Sequence, residues 1–301
     1  MTEAAERPDE GEDLPAYPPL ADAVVDTLDL LEAIGASGNR WHHVPTGFED
    51  LDMLLGGLRP GHLVVVASRP SIGSTTLLLD FCRAATRQKQ GAYLVSYELP
   101  QEEITMRLLS SEARVSLHRL RSGLLSDDDW TRLAAAMERV AGVPLHLSTP
   151  SAWTMAELQE NVRKVHGDHT VELVVVDGLQ YVRPDVPGDT REREVTQIGY
   201  ELKALARELR LPVVVSAQLN RLVEQRLDKR PNVHTDLRDS DAIAHIADTV
   251  ILLHREDAYE RESPRAGEMD LIVAKNRQGP IGTVTLAAQF HYARLVEFAR
   301  E

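Results

Sequence analysis

The fold is decided by residues 62–79, which read HLVVVASRPSIGSTTLLL. The first half is a continuous apolar run of strand length, as in strands that are buried on both faces of a parallel sheet. A short turn containing Pro70 and Gly73 follows, and residues 75–88 then have the apolar spacing of a helix. The stretch therefore predicts a buried strand that passes through a tight turn into a helix.

The remainder of the chain repeats this alternation, with helical segments at 126–140, 154–166 and 192–209. The other strand-like runs are AYLVSY (92–97), PLHLS (144–148), ELVVVD (172–177), PVVVSA (212–217), TVILLH (249–254), MDLIVAK (269–275) and TVTLAA (283–288). This pattern predicts an α/β fold with a mostly parallel central sheet flanked by helices. Because the last runs lie close together around a turn at 278–280, we expect an antiparallel extension at the C-terminal end.

Length and charge restrict the class of protein. The 301 residues allow one α/β domain of roughly 250 residues and a short tail. A single cysteine excludes a disulfide framework, and neither a leader peptide nor an apolar run of about 18 residues is present, so we expect a cytoplasmic protein with no membrane segment. The net charge of -14 argues against electrostatic coating of DNA but leaves room for a local basic channel.

The first 43 residues differ in composition from the rest. Residues 1–19 are rich in acidic residues and proline, which predicts a disordered acidic tail. Residues 20–36 have apolar side chains at helical spacing and predict an amphipathic helix within a linker at 20–43. This helix could pack on its own domain or dock on a neighbouring subunit, and the sequence favours neither. The main domain is expected at 44–301.

The turn after the first strand is a candidate phosphate site, because the free N–H groups and dipole of a helix N-terminus attract anions. In the pattern G-x-x-x-x-G-K-[ST], Gly73 and Thr75 fit, but serine replaces the first glycine and the lysine. A backbone cradle needs N–H groups rather than side chains, although a plain capped helix also suits the pattern. The candidate nucleotide-binding residues are Ser68, Arg69, Pro70, Ser71, Ile72, Gly73, Ser74, Thr75 and Thr76.

Three further strands end in polar residues. Asp177 ends a buried run and is suited to hold Mg²⁺ next to the phosphate-loop strand, together with the Thr75 hydroxyl. Glu98 is a candidate general base, and Gln218 a candidate sensor of a terminal phosphate. Each is also typical of a solvated loop group. Together they would converge at the carboxyl edge of the sheet, where open α/β folds bind ligands.

The longer motifs resemble those of the DnaB-type replicative DNA helicase family, in its C-terminal RecA-like motor domain. They are VPTGFEDLD (44–52), LGGLRPG (55–61), RPSIG (69–73), SYELP (96–100), DGLQ (177–180), KALAREL (203–209), QLNR (218–221), EQR (224–226), DKRP (228–231), DLR (236–238) and AKNRQGPIGT (274–283). The resemblance runs from about residue 44 to the C-terminus. It implies a RecA-like P-loop fold that binds ATP and Mg²⁺ and forms a hexameric ring with single-stranded DNA.

The resemblance also implies roles for particular residues. Glu98 would be the catalytic base, Thr75 and Asp177 the magnesium residues, and Gln218 the coupling residue. Lys275 and Arg277 would reach the γ-phosphate bound by the neighbouring subunit. The loop at 236–241 would face the central channel, with Arg238, Asp239 and Asp241 at the DNA.

The chain departs from the family pattern at three places. Ser74 replaces the phosphate-loop lysine, which is expected to cost about 3 kcal/mol or more in the transition state. Asp239 and Asp241 stand where the family usually has glutamate and glycine, which is expected to weaken DNA binding. The resemblance leads us to expect that the residues before position 44 do not hold the family's N-terminal domain.

Two functions therefore remain open. One is an ATP-binding helicase-family protein that acts on DNA around replication, with weakened hydrolysis. The other is a catalytically inactive paralogue that serves as a regulatory or scaffold partner, for example in a hetero-assembly with a true helicase.

Overall fold

The computed structural model describes residues 20–36, 43–226, 228–233, 235–237, 241–260 and 262–299. The chain divides into two compact units, residues 1–42 and 43–301. In the first unit, helix α1 spans Leu20–Ala36. The tail predicted at 1–19 lies outside the described residues. No helix in these ranges is long and apolar enough to cross a membrane.

In the second unit, the described strands form a single sheet. The strands are β1 (Leu63–Ser68), β2 (Gly91–Ser96), β3 (Leu145–Ser148), β4 (Val171–Asp177), β5 (Val213–Gln218), β6 (Thr249–His254), β7 (Glu268–Asn276), β8 (Gly282–Gln289) and β9 (Arg294–Val296). Their order across the sheet is β3-β2-β4-β5-β1-β6-β7-β8-β9. Strands β1 to β6 pair in parallel, and β6 to β9 pair in antiparallel fashion. The predicted α/β fold with its antiparallel extension is confirmed.

One expectation about strand order is wrong. The strand that ends at Asp177, β4, does not lie next to the phosphate-loop strand β1, because β5 pairs with both and separates them. Continuous apolar runs reveal which strands are buried but not their order across the sheet. Asp177 therefore has to act across an intervening strand.

Helices cover both faces of this sheet. They are α2 (Glu49–Leu55), α3 (Ser74–Arg87), α4 (Gln101–Ala113), α5 (Leu117–Ser122), α6 (Asp127–Ala141), α7 (Met155–Asp168), α8 (Arg191–Leu209) and α9 (Asp241–Ile246). Because side chains alternate along a strand, Val65 packs into one core with α7 and α8, and Val64 into the other with α2, α3 and α4. The two cores hold the carboxyl ends of the strands in a fixed array.

A buried carboxylate in helix α2 makes stability depend on pH. Asp52 accepts a hydrogen bond from the Thr46 N–H at 2.8 Å, and burial raises its pKa from 3.8 to about 6. The folded state then binds this proton more tightly than the unfolded state, so stability falls as pH rises from about 4 to about 6. We expect Asp52→Asn, which keeps an acceptor oxygen without the charge, to raise the free energy of unfolding by about 1–3 kcal/mol at about pH 8.

Urea unfolding of the two proteins at about pH 8 and about pH 4 measures this difference. The gain should disappear at the lower pH, where the wild-type carboxyl is protonated. Asp189→Asn is the matched control, since that carboxylate is 81% exposed and pairs with Arg193 on the surface. Equal effects of Asp52→Asn at both pH values would contradict the assignment.

Candidate functional site

The turn between β1 and α3 is held in an open loop by two left-handed backbone positions. Ser71 has φ 67° and Gly73 has φ 126°. A Cβ on Gly73 would lie 2.8 Å from the side-chain carbons of Met269 and Phe290, so only glycine fits between the loop and these side chains. The loop is therefore fixed against β7 and the turn after β8.

The first turn of α3 leaves backbone donors available. The Leu77 N–H makes the first intrahelical bond, to the Gly73 carbonyl at 3.1 Å, and no side chain caps the helix. The N–H groups of Ser74, Thr75 and Thr76 thus have no partner within the helix. Such donors at a helix N-terminus suit an anion.

The loop and the strand ends enclose a cleft of about 470 Å³. Its lining residues are Ser68, Pro70, Ser71, Gly73, Ser74, Thr75, Thr76, Glu98, Leu99, Arg107, Gln180, Tyr181, Ser216, Ala217, Gln218 and Phe290. Two predicted phosphate-loop residues are absent from the lining. The Ile72 side chain is buried in the core, and Arg69 donates hydrogen bonds to the Leu219 carbonyl and to Glu224.

Asp177 is buried beside the cleft and accepts hydrogen bonds from two hydroxyl groups that line it. Thr75 Oγ1 donates to Asp177 Oδ2 at 2.9 Å, and Ser216 Oγ donates to Asp177 Oδ1 at 2.8 Å. Ser216 in turn accepts from the Gly178 N–H at 2.8 Å. Ser216, on β5, therefore fixes the Asp177 carboxylate from the intervening strand, and Thr75 contacts the same carboxylate from the phosphate loop.

Both carboxylates of the site have a raised pKa. Burial raises the pKa of Asp177, which is 1% exposed, while the bonds from Ser216 and Thr75 oppose the rise. Partial removal from water raises the pKa of Glu98, and the charge of Asp177 raises it further. Gln180 Nε2 donates to Glu98 Oε1 at 2.9 Å. A carboxylate with a raised pKa that lines this cleft is suited to accept a proton.

The structure brings together four of the predicted catalytic and magnesium residues, and three further polar residues line the same cleft. Glu98, Gln218 and Thr75 line the cleft, and Asp177 touches it through Thr75. Sequence reasoning gave no role to Ser216, Gln180 or Arg107. No sequence pattern identified Arg107, because the packing of α4 is what brings it to the cleft.

Lys275 and Arg277 lie elsewhere in the chain. Lys275 Nζ donates to the carbonyls of Ala244 at 2.7 Å and His245 at 2.9 Å, and Arg277 Nη2 donates to the His245 carbonyl at 3.3 Å. Burial lowers the pKa of Lys275, and the nearby charge of Arg277 adds to the effect. Both residues therefore cap the last turn of α9, and neither lines the cleft of its own chain.

The predicted DNA loop is described only in part. Asp236 is buried and accepts two hydrogen bonds from Arg226, at 2.5 and 2.7 Å. Arg238 and Asp239 lie outside the described residues, and Asp241 begins α9 without a described side chain.

The chemistry of the cleft fits a nucleoside triphosphate with Mg²⁺. The adjoining hydroxyl of Thr75 and carboxylate of Asp177 are the hard oxygen groups that Mg²⁺ prefers, and the free N–H groups of α3 suit phosphate oxygens. The order of the sheet, the strand–loop–helix turn and this polar edge define a RecA-like α/β domain.

The comparisons with known proteins identify the family. The family model for the DnaB-like helicase C-terminal domain matches residues 43–297, so the chain belongs to this family. It is 43% identical over 284 residues to the replicative DNA helicase DnaB of Leifsonia xyli, covering 94% of this chain and 62% of that protein. It is 33% identical over 287 residues to the replicative DNA helicase DnaC of Bacillus subtilis, covering 95% of this chain and 63% of that protein.

Solved structures show the same relationship. A solved ATPase domain superposes with a TM-score of 0.89 at 29% identity, covering 94% of this chain and all of that domain. A DnaB-like replicative helicase studied for its interactions with primase superposes with a TM-score of 0.85 at 29% identity, covering 94% of this chain and 68% of that one. The chain thus spans about three-fifths of the length of the curated relatives and the full length of an isolated ATPase domain.

Proposed function

We propose that this protein binds ATP and Mg²⁺ in the cleft and acts on DNA as a helicase motor whose hydrolysis is weakened by Ser74. The observation that carries this proposal is the hydrogen-bonded array of Thr75, Asp177 and Ser216 beside the first turn of α3. The array places two oxygen ligands for Mg²⁺ at a phosphate cradle, which a plain capped helix does not require.

The remaining catalytic parts are consistent with slow turnover. Glu98 faces the cleft with a raised pKa, so it can take the proton of an attacking water, and Gln218 lies at the end of β5 near the same space. Mg²⁺ would neutralise phosphate charge when bound to Thr75 and Asp177. The Ser74 hydroxyl can donate one hydrogen bond but carries no charge, which leaves the transition state less stabilised.

The assembly and the DNA partner follow from the family. In a hexameric ring, Lys275 and Arg277 would act on the nucleotide of the neighbouring subunit. Their present bonds to the carbonyls of α9 support a link between that contact and the DNA loop, because α9 starts where the loop at 236–241 ends. Arg238, Asp239 and Asp241 would face single-stranded DNA, with affinity reduced by the acidic residues.

The domain organisation fits this role. Residues 44–301 would be the motor, α1 within residues 20–43 the linker helix, and residues 1–19 an acidic tail. The replicative helicases among its relatives support a place in DNA replication in the cytoplasm.

One observation favours the second function, a catalytically inactive paralogue that regulates or supports a true helicase. Ser74 lines the cleft at the position of the catalytic lysine, and its neutral side chain supplies no charge there. In that case the cleft would hold nucleotide without turnover, and the chain would enter a hetero-assembly.

Binding of Mg-ATP tests the proposal common to both functions. Calorimetric titration of the wild type should give saturable binding that requires Mg²⁺. Gly73→Ala should weaken it at least about tenfold, because the added Cβ forces the loop away from Phe290 and strains φ at 126°. Gly123→Ala is the matched control, since Gly123 also has positive φ but has open space around it.

Thermal unfolding of both variants separates a displaced loop from general destabilisation. Comparable melting of the two variants with loss of binding only in Gly73→Ala supports the cradle. A wild type that does not bind Mg-ATP at millimolar concentration would overturn the proposed function.

A further inference from the structure

We propose that Arg107 supplies to the nucleotide the positive charge that position 74 no longer provides. This inference rests on the proposed function, since it concerns how the same cleft holds phosphate. Arg107 is in helix α4, nine residues after Glu98, and its side chain lines the cleft together with Ser74 and Thr75. Among the described residues that line the cleft, it is the one cationic side chain.

The guanidinium group of Arg107 lines the cleft and is weakly held by its own protein partners. The Arg107 side chain is 21% exposed, and its buried Nε has no hydrogen-bond partner. Nε lies 3.2 Å from Glu103 Oε1, but Arg121 donates two hydrogen bonds to that same carboxylate. Buried donors are normally paired, and Arg107 shares its one carboxylate partner with Arg121, so a guanidinium that lines the cleft can pair with acceptor oxygens of a ligand.

The charge balance of the cleft also requires a cation. A triphosphate with one Mg²⁺ remains negative, and Glu98 and Asp177 add negative charge beside it. Arg107 lies near enough to Asp177 for that carboxylate to act on its charge. A guanidinium there balances the phosphates from the side of α4, whereas a lysine at position 74 would do so from the start of α3.

The other basic side chains around the loop are engaged elsewhere. Arg69 bonds the Leu219 carbonyl and Glu224. Arg255 pairs with Asp257 and lies 4.4 Å over the Phe290 ring. Arginine is also suited to the task, because its planar fork donates two parallel hydrogen bonds to phosphate oxygens.

The test is the affinity for fluorescent ATP, ADP and AMP analogues with Mg²⁺. Arg107→Gln should weaken ATP binding by about 10- to 100-fold, as expected for loss of hydrogen bonds to a charged group, and should weaken AMP binding much less. Arg107→Lys should recover part of the affinity. Adding Ser74→Lys to Arg107→Gln should also restore ATP binding, because a lysine at position 74 supplies the missing charge from the loop.

Two control variants separate a nucleotide contact from a structural role. Glu103→Gln removes the ion-pair partner of Arg107, and Arg121→Ala removes the competing arginine from the surface. If Arg107 acts on nucleotide, both controls should bind ATP within about threefold of the wild type. If Glu103→Gln reproduces the loss seen in Arg107→Gln and weakens AMP binding as much as ATP binding, the ion pair is structural and the inference is wrong.

The inference and the proposed function fail in different ways. Equal ATP affinity of wild type and Arg107→Gln, or an equal loss for ATP and AMP, would overturn the role of Arg107 while leaving the cleft as a nucleotide site. Absence of ATP binding by the wild type, by Arg107→Gln and by Ser74→Lys would overturn the proposed function itself.

Discussion

Ser74→Lys is expected to raise the rate of ATP hydrolysis by about a hundredfold, the effect of one preorganised cationic donor in the transition state. The rest of the site is already in place for the new charge. Ser74 begins α3 and lines the cleft, Thr75 contacts Asp177, and Glu98 lines the same cleft. The gain would appear mainly in kcat, because the developing charge on the γ-phosphate exceeds that of the ground state.

The measurement is steady-state phosphate release with and without single-stranded DNA. Ser71→Lys is the matched control, because Ser71 lies in the same loop and is exposed. This variant adds the same charge to the loop but not at position 74. A similar gain in both variants would mean that general attraction of nucleotide is responsible. No turnover in Ser74→Lys would show that more than the lysine has been lost.

Glu98→Gln in the Ser74→Lys background is expected to lower kcat by about 10²- to 10⁴-fold, the usual contribution of a general base. The amide keeps the size of the side chain and one acceptor for Gln180 but cannot take a proton. Binding of Mg-ATP should be unchanged or slightly tighter, since the nearby negative charge is removed. Single-turnover kinetics and titration calorimetry separate the two quantities.

The pH dependence of Ser74→Lys gives an independent check on this base. Because the pKa of Glu98 is raised, the rate should fall on the acid side at a pH above that of an ordinary glutamate. Glu102→Gln, an exposed residue in the first turn of α4, should leave both kcat and the acid limb in place. An unchanged kcat in Glu98→Gln would exclude the carboxylate as the base.

Much of the fold could be predicted from local sequence. The parallel strands have continuous Val and Leu runs, and these runs occur within one or two residues of β1 to β8. Helix α6 is expected from the apolar spacing at 126–140, and Ser126 caps it. Strand β9 could not be anticipated, because it has three residues and forms only through its pairing with β8.

The site residues that belong to sequence motifs could be predicted, and those that reach the site through tertiary contacts could not. Asp177, Glu98 and Gln218 were recognisable at strand ends, since parallel strands place their carboxyl ends at one edge. Ser216 and Arg107 were not recognisable from the sequence. Ser216 reaches Asp177 because β5 lies between β1 and β4, and Arg107 reaches the cleft because α4 packs beside it. Long-range order of strands is not encoded in apolar spacing.

On the proposed function, the motor is slowed rather than stopped. The most direct test is ATP hydrolysis by the purified wild type and by the single variant Glu98→Gln, each with and without single-stranded DNA. Slow phosphate release that depends on Mg²⁺, rises with DNA and is lost in Glu98→Gln is the predicted result. A wild-type rate indistinguishable from that of Glu98→Gln under both conditions would contradict it and leave the inactive paralogue.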